Sequence, residues 1–269
     1  MQRVPRPLVA ADPVGVESRF VQDHAEDEAM NSRWLTLLTC CLVLSGCQAT
    51  KYDLAAPTLG ASASALPIRE FARQTFIHGV PYEEAGRYDG SAVPVLLNML
   101  EDPEEEPHWA NIVITLGMIG DERSVDPLIG FLSKEEQEPL SHARYTAKSS
   151  VPMALGYLVN KSGNKKALAY LKDHVYPDSW GQDQLKWQSP YHANKEARDQ
   201  QLSTMAVLGL ALSGHPEAKE TLREMKKPAK TDAAIKFQAQ VGGVVDEALT
   251  ANEAIAKDGL AGYYRKATP

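Results

Sequence analysis

Leu116-Gly117-Met118-Ile119-Gly120-Asp121-Glu122-Arg123-Ser124-Val125-Asp126-Pro127-Leu128-Ile129 reads as the turn between two helices. Upstream of it, Trp109, Ile112, Val113, Leu116 and Gly117 stand at i, i+3, i+4, i+7 and i+8, one apolar stripe of a 3.6-residue helix. Downstream, Val125, Leu128, Ile129 and Leu132 repeat the pattern over a shorter span. Pro127 follows a capping Ser124 by three residues, where its missing N–H is one of the first four that have no intrahelical acceptor. Ser91-Ala92-Val93-Pro94 has the same form and opens the stripe Val93, Leu96, Leu97, Leu100. Leu202, Met205, Ala206, Gly209 and Leu210 give a second long stripe. No stretch alternates as a half-buried strand would, so an all-α body is predicted.

Self-similarity extends outward from this segment. A glycine closes each first-helix stripe, at Ile77-His78-Gly79, Leu116-Gly117, Leu155-Gly156 and Leu208-Gly209, where it lets a neighbouring helix approach. The first three recur at 38 and 39 residues, while Gly156 and Gly209 stand 53 apart, one period plus about 14 residues. These spacings predict helical hairpins at 68–102, 106–134, 141–175 and 193–227, with an insert at 176–192. Thr231 to Lys257 is expected to be a degenerate capping helix burying Ile235, Ala239, Gly242 and Val245, with Tyr263-Tyr264 frayed near the end of the chain. The quoted segment resembles the core of a HEAT repeat, of the short variety also found in phycobilisome lyases. Asp121 and Arg123 match the acidic turn residue and the basic residue after it; Lys161-Ser162-Gly163-Asn164 and Ser213-Gly214-His215-Pro216 match less well. The resemblance covers 68–228 and implies an α-solenoid of about four hairpins, with 229–269 as a C-terminal cap and tail. It is nearly silent on activity.

The one strongly apolar run, Trp34 to Leu44, is too short to span a bilayer, which takes about 20 residues, and has the length of a secretory signal core. It ends in Leu44-Ser45-Gly46-Cys47, which resembles the lipobox of bacterial lipoproteins. That family implies cleavage after Gly46 and a lipid anchor on Cys47. Gln48, where an Asp would mark retention at the inner membrane, points to the outer membrane and a periplasmic face. Residues 1–29 carry more acids than bases, unlike the short positive start of a signal, so translation is expected to begin at Met30 and 30–46 to be the signal peptide. Residues 47–67, rich in Ala, Ser, Thr, Pro and Gly, read as a tether with a reach of about 25 Å.

The net charge of −7 argues against a nucleic-acid partner. With Cys40, Cys41 and Cys47 confined to one short stretch, a disulfide framework and a cysteine zinc site are excluded for the rest of the chain. The histidines are scattered singly, so no metal ligand set, cofactor or catalytic residue is expected. Glu101-Asp102-Pro103-Glu104-Glu105-Glu106 reads as a solvated loop leading into a helix N-terminus. The insert concentrates Trp180, Trp187, Tyr191 and His192, and two readings stay open for it: interface anchors or a sugar-stacking face, or a plug between units three and four. The leading expectation is a lipid-anchored scaffold for an unidentified envelope protein. In it the second helices present Asn98, Asp126, Lys172, Arg223 and Lys227, with the insert at one rim. The alternative is a ligand- or glycan-binding protein, or an enzyme, that uses the insert.

Overall fold

A computed structural model of the protein describes residues 66–267 apart from 78, 137–138, 182–184 and 190. The extension at 1–29, the signal peptide, Leu44 to Cys47 and nearly all of the tether lie outside the described residues. Among those described, all regular structure is helical. In chain order the helices are α1 (Ile68–Ala72), α2 (Tyr82–Ala85), α3 (Val93–Glu101), α4 (Trp109–Ile119), α5 (Val125–Ser133), α6 (His142–Ser162), α7 (Lys165–Asp173), α8 (Pro177–Trp180), α9 (Lys195–Ser213), α10 (Pro216–Glu224) and α11 (Asp232–Ala267). Among the described residues no helix is long and apolar enough to cross a membrane.

The stripe of α4 packs on α6, α6 packs on α9, and α9 packs on α11, so the long helices form a row. The shorter helices lie against this row: α3 on α4, α5 on α6, α7 on α6 and α9, and α10 on α9 and α11. Leu116 and Leu128, from the two stripes that flank the quoted turn, are both fully buried in the shared core. Backbone contact at glycine sets the spacing within the row. A Cβ on Gly117 would stand 2.3 Å from the Ala154 carbonyl oxygen, one on Gly156 would stand 2.2 Å from that of Gly209, and one on Gly209 would stand 2.4 Å from that of Pro152. No side chain fits in such gaps.

Each of α4, α6 and α9 ends on a left-handed glycine, Gly120, Gly163 and Gly214. A polar side chain then caps the next element: Asp121 accepts from the Arg123 amide at 2.9 Å, Asn164 from Ala167 at 3.0 Å, and His215 Nδ1 from Glu217 at 3.2 Å. The expected serine caps are corrected here. Asp89 and Asp121 carry the caps, each opening a one-turn 3-10 segment that runs into α3 or α5, while Ser124 makes no side-chain cap bond. Carboxylates win these positions because they accept more strongly than a hydroxyl. Arg123 pairs with Asp121 and also donates to the Gly90 carbonyl at 2.6 Å, tying two successive turns together.

Two other expectations change at the ends of the row. Gly79 closes no helix: α1 stops at Ala72, Gly79 sits in a turn at φ 82° with open space around it, and Ile77 is 89% exposed. The Asn111 amide donates to the Ala72 and Gln74 carbonyls, replacing the bonds that a longer α1 would have made. In α11 the buried face is Phe237, Val241, Val245, Ala248, Asn252 and Ile255, whereas Ile235 is half exposed and Gly242 touches nothing that would exclude a side chain. The helix breaks at Gly259, whose φ of 70° and ψ of 165° are non-helical. Leu260 beyond the break is buried and Tyr264 hydrogen-bonds Tyr157, so this end is packed where fraying was expected.

Candidate functional site

The insert enters the core. Trp180, at the end of α8, is fully buried; its indole N–H donates to Ser203 Oγ on α9 at 3.0 Å, and its ring meets Tyr170 of α7 and His174, the residue that follows that helix. Trp187 is 1% exposed and donates to the Leu132 carbonyl, in the last turn of α5, at 2.8 Å. Both indoles are thus corrected from candidate anchors to packing residues. A side chain with no accessible surface offers nothing to a partner, nor a face on which a sugar ring could stack. The plug reading describes Trp180, which lies between α7 and α9, whereas Trp187 reaches beyond units three and four to α5 of unit two.

Two buried cations hold the plug. Arg198, on α9, places its guanidinium 5.0 Å from the Trp187 ring centroid and donates to the carbonyls of Leu185 and Trp187. It also pairs with Asp199 at 2.7 Å, both side chains being buried. Burial pushes the Asp199 carboxyl up, and the Arg198 partner opposes that shift. Lys148, on α6, is wholly buried, and its ammonium donates to the carbonyls of Phe131 (2.7 Å), Leu132 (3.4 Å) and Lys134 (3.0 Å) at the C-terminus of α5. That is the end of a helix where a cation is favoured. The same amine lies 5.8 Å from the Trp187 centroid and 3.5 Å from Glu136.

Neither cation was singled out in the sequence, although a signal was there. Lys148 stands three and seven residues before the buried Val151 and Leu155, and Arg198 four and seven before Leu202 and Met205, so each begins an apolar stripe. A charge on a core face implies a buried partner. Burial lowers the Lys148 amine to about 8, with Glu136 acting in the opposite sense. Between about pH 8 and 10.5 the unfolded chain therefore holds a proton that the native state has shed, and stability rises with pH. Urea unfolding of the wild type and Lys148→Met from pH 7 to 10 should show their difference growing in favour of the wild type above pH 8, by at most about 1.4 kcal/mol per pH unit. A pH-independent difference would mean that the amine titrates normally.

The last part of the insert carries its exposed aromatic residue. Tyr191 is 48% exposed, with its ring against Tyr145 (5.1 Å between centroids) and edge-on to His142 (5.4 Å). Half-buried His192 stacks obliquely on Tyr145, and its Nδ1 lies 2.7 Å from Ser189 Oγ, which also accepts from the Tyr191 amide. Burial, with Arg198 nearby, holds His192 below the usual imidazole range. The result is a small exposed aromatic rim on a buried tyrosine.

The other proposed contact residues are spread over the short helices. Asn98 is exposed on α3; Asp126 of α5 pairs with Lys166 of α7; Lys172 of α7 pairs with Glu217 of α10 at 2.7 Å. Arg223 bonds Glu220 at 2.9 Å and approaches Glu253 of α11 at 3.5 Å, while Lys227 bonds Glu224 at 2.6 Å. The acidic run is also more structured than a solvated loop. Glu105 is buried and gripped by Arg69 and Arg73, which hold its carboxyl below the usual range, and Glu106 pairs with Arg144. Among the described residues no group of three or more His, Cys, Asp or Glu is placed to hold a metal ion. Compared with known proteins, the chain matches no family model, no curated sequence and no solved structure.

Proposed function

We propose that the protein is a lipid-anchored bacterial envelope protein whose helical body, an α-solenoid of about four HEAT-like hairpins closed by a C-terminal cap, docks a protein partner at the insert rim. The solenoid reading draws support from the row of long helices meeting at Gly117, Gly156 and Gly209, with a shorter helix following each turn. The anchor reading rests on Leu44-Ser45-Gly46-Cys47, and the outer-membrane assignment on Gln48.

One observation carries the docking reading: Tyr191 is held half exposed over Tyr145, beside His142 and His192, while both tryptophans of the insert are spent on packing. A tyrosine whose ring is already fixed loses little rotamer freedom on binding, and Tyr is favoured at interface hot spots. The short-helix residues Asn98, Asp126, Lys172, Arg223 and Lys227 extend the contact as a polar surface.

The test has two arms in the membrane-anchored protein. Labelled palmitate should enter the chain, and Cys47→Ser should abolish the label and release the protein to the soluble fraction; label that survives the substitution removes the anchor. A photo-crosslinking side chain at position 191 should give one discrete adduct, weakened by His142→Ala, where the same probe at the exposed Ala169 of α7 gives none. Equal crosslinking at both positions removes the rim as a docking site.

A further inference from the structure

Beyond Gly259 the chain turns back onto an apolar groove. Leu260 is buried against a cluster that includes Phe71, Met118, Tyr157, Leu212 and Ile255, and Tyr263 and Tyr264 pack on its edge. The Tyr264 hydroxyl hydrogen-bonds that of Tyr157, and the Tyr264 ring lies 5.7 Å from that of Tyr82. Arg265 approaches Glu83 at 3.5 Å, and Lys266 bonds Asp258 at 2.7 Å, a pair that the break draws together and a straight helix would set about 12 Å apart along its axis. The groove is thus built from residues spread along the described chain and is covered by Leu260, Tyr263 and Tyr264.

We propose that Leu260–Ala267 is an exchangeable strap held on its own groove by the conformation of Gly259, and that this groove takes the strap of a second copy of the chain when the hinge at 259 is helical. Two observations carry this. First, the occupant that the groove fits is already seen in place, and every copy brings an identical one. Second, a single residue decides where the strap goes. Gly259, at φ 70° and ψ 165°, adopts a conformation open essentially to glycine alone, with no neighbouring atom to support a side chain. With helical torsions at 259, α11 would run unbroken for its 36 residues, about 54 Å, and carry the strap away from its own groove. The uncovered Phe71, Met118, Tyr157 and Ile255 would then be an apolar face whose best available cover is the strap of another molecule. Reciprocal exchange of one element through a short hinge closes a two-fold dimer without any new contact.

The full chain should therefore be monomeric, whereas Gly259→Ala, which favours the helical hinge, should elute at twice that mass by size exclusion with light scattering. Co-expressed copies with two different tags should co-purify only in the Gly259→Ala form. Adding Tyr264→Ala to Gly259→Ala should return the mass to that of a monomer, as should insertion of two glycines after Gly259, because a longer hinge lets the strap reach its own groove again. Circular dichroism confirms that each variant is folded. A monomeric, fully helical Gly259→Ala would overturn the proposal, and so would a dimer that persists when the strap is shortened by ending the chain at Gly259. If Gly259→Ala does not fold, deletion of Gly259, which shortens the same hinge, supplies the test: a dimer that Tyr264→Ala returns to monomer supports the strap, and a folded monomer, or a dimer that Tyr264→Ala leaves unchanged, overturns it.

Discussion

Replacing Gly156 by alanine should destabilise the protein by about 3 kcal/mol, although alanine is the better helix former by about 1 kcal/mol. The added methyl would stand 2.2 Å from the Gly209 carbonyl oxygen, and that neighbour is backbone in the middle of α9. It cannot rotate aside. The two helices must part, and loosening them also disturbs Gly209, which lies against the Pro152 carbonyl on the same helix as Gly156. Gly243 supplies the opposite case within the same protein: it is exposed in α11 with nothing within contact of a Cβ. Gly243→Ala should stabilise by about 0.5–1 kcal/mol. Denaturant unfolding of the two variants should thus move in opposite directions. A neutral or stabilising Gly156→Ala would mean that the long helices are not in backbone contact.

The same comparison explains what could be read in the sequence. Gly117, Gly156 and Gly209 each close an apolar stripe, and such a glycine has a single physical use, close approach of another backbone. Gly79 and Gly242 share the residue type without the stripe: Gly79 lies between the short α1 and α2 beside an exposed Ile77, and the stripe of α11 runs through Phe237 and Val241, out of phase with Gly242. The caps are ambiguous in the sequence for a related reason. A serine and an aspartate three residues apart both suit a helix start, and the intervening 3-10 turn, which decides between them, leaves no periodic trace. An apolar stripe is defined by its apolar residues, so the buried cations Lys148 and Arg198 are legible in the sequence only as interruptions at its start. The half-exposed Tyr191 and the buried Trp187 were indistinguishable by composition, since four residues of one loop can point either way once its neighbours are unknown.

The insert supplies the second large effect. Trp187→Ala should cost about 3–5 kcal/mol, because it removes a fully buried ring, takes a donor from the Leu132 carbonyl and leaves the Arg198 guanidinium without the face it covers. Trp187→Phe separates these contributions: it keeps most of the apolar area and the cation contact but loses the N–H donor. Lys148 still reaches the same carbonyl at 3.4 Å, so the loss should be nearer 1–2 kcal/mol on the order of a single buried hydrogen bond with some repacking. Tyr191→Ala, a few residues along the same loop, should change stability by less than about 0.5 kcal/mol while weakening any docking at the rim. The three variants therefore divide one loop into a part that holds α5, α6 and α9 together and a part that faces outward. If Trp187→Ala unfolded within about 1 kcal/mol of the wild type, the indole would not be the bolt of that joint, and the insert would regain its claim as a binding loop throughout.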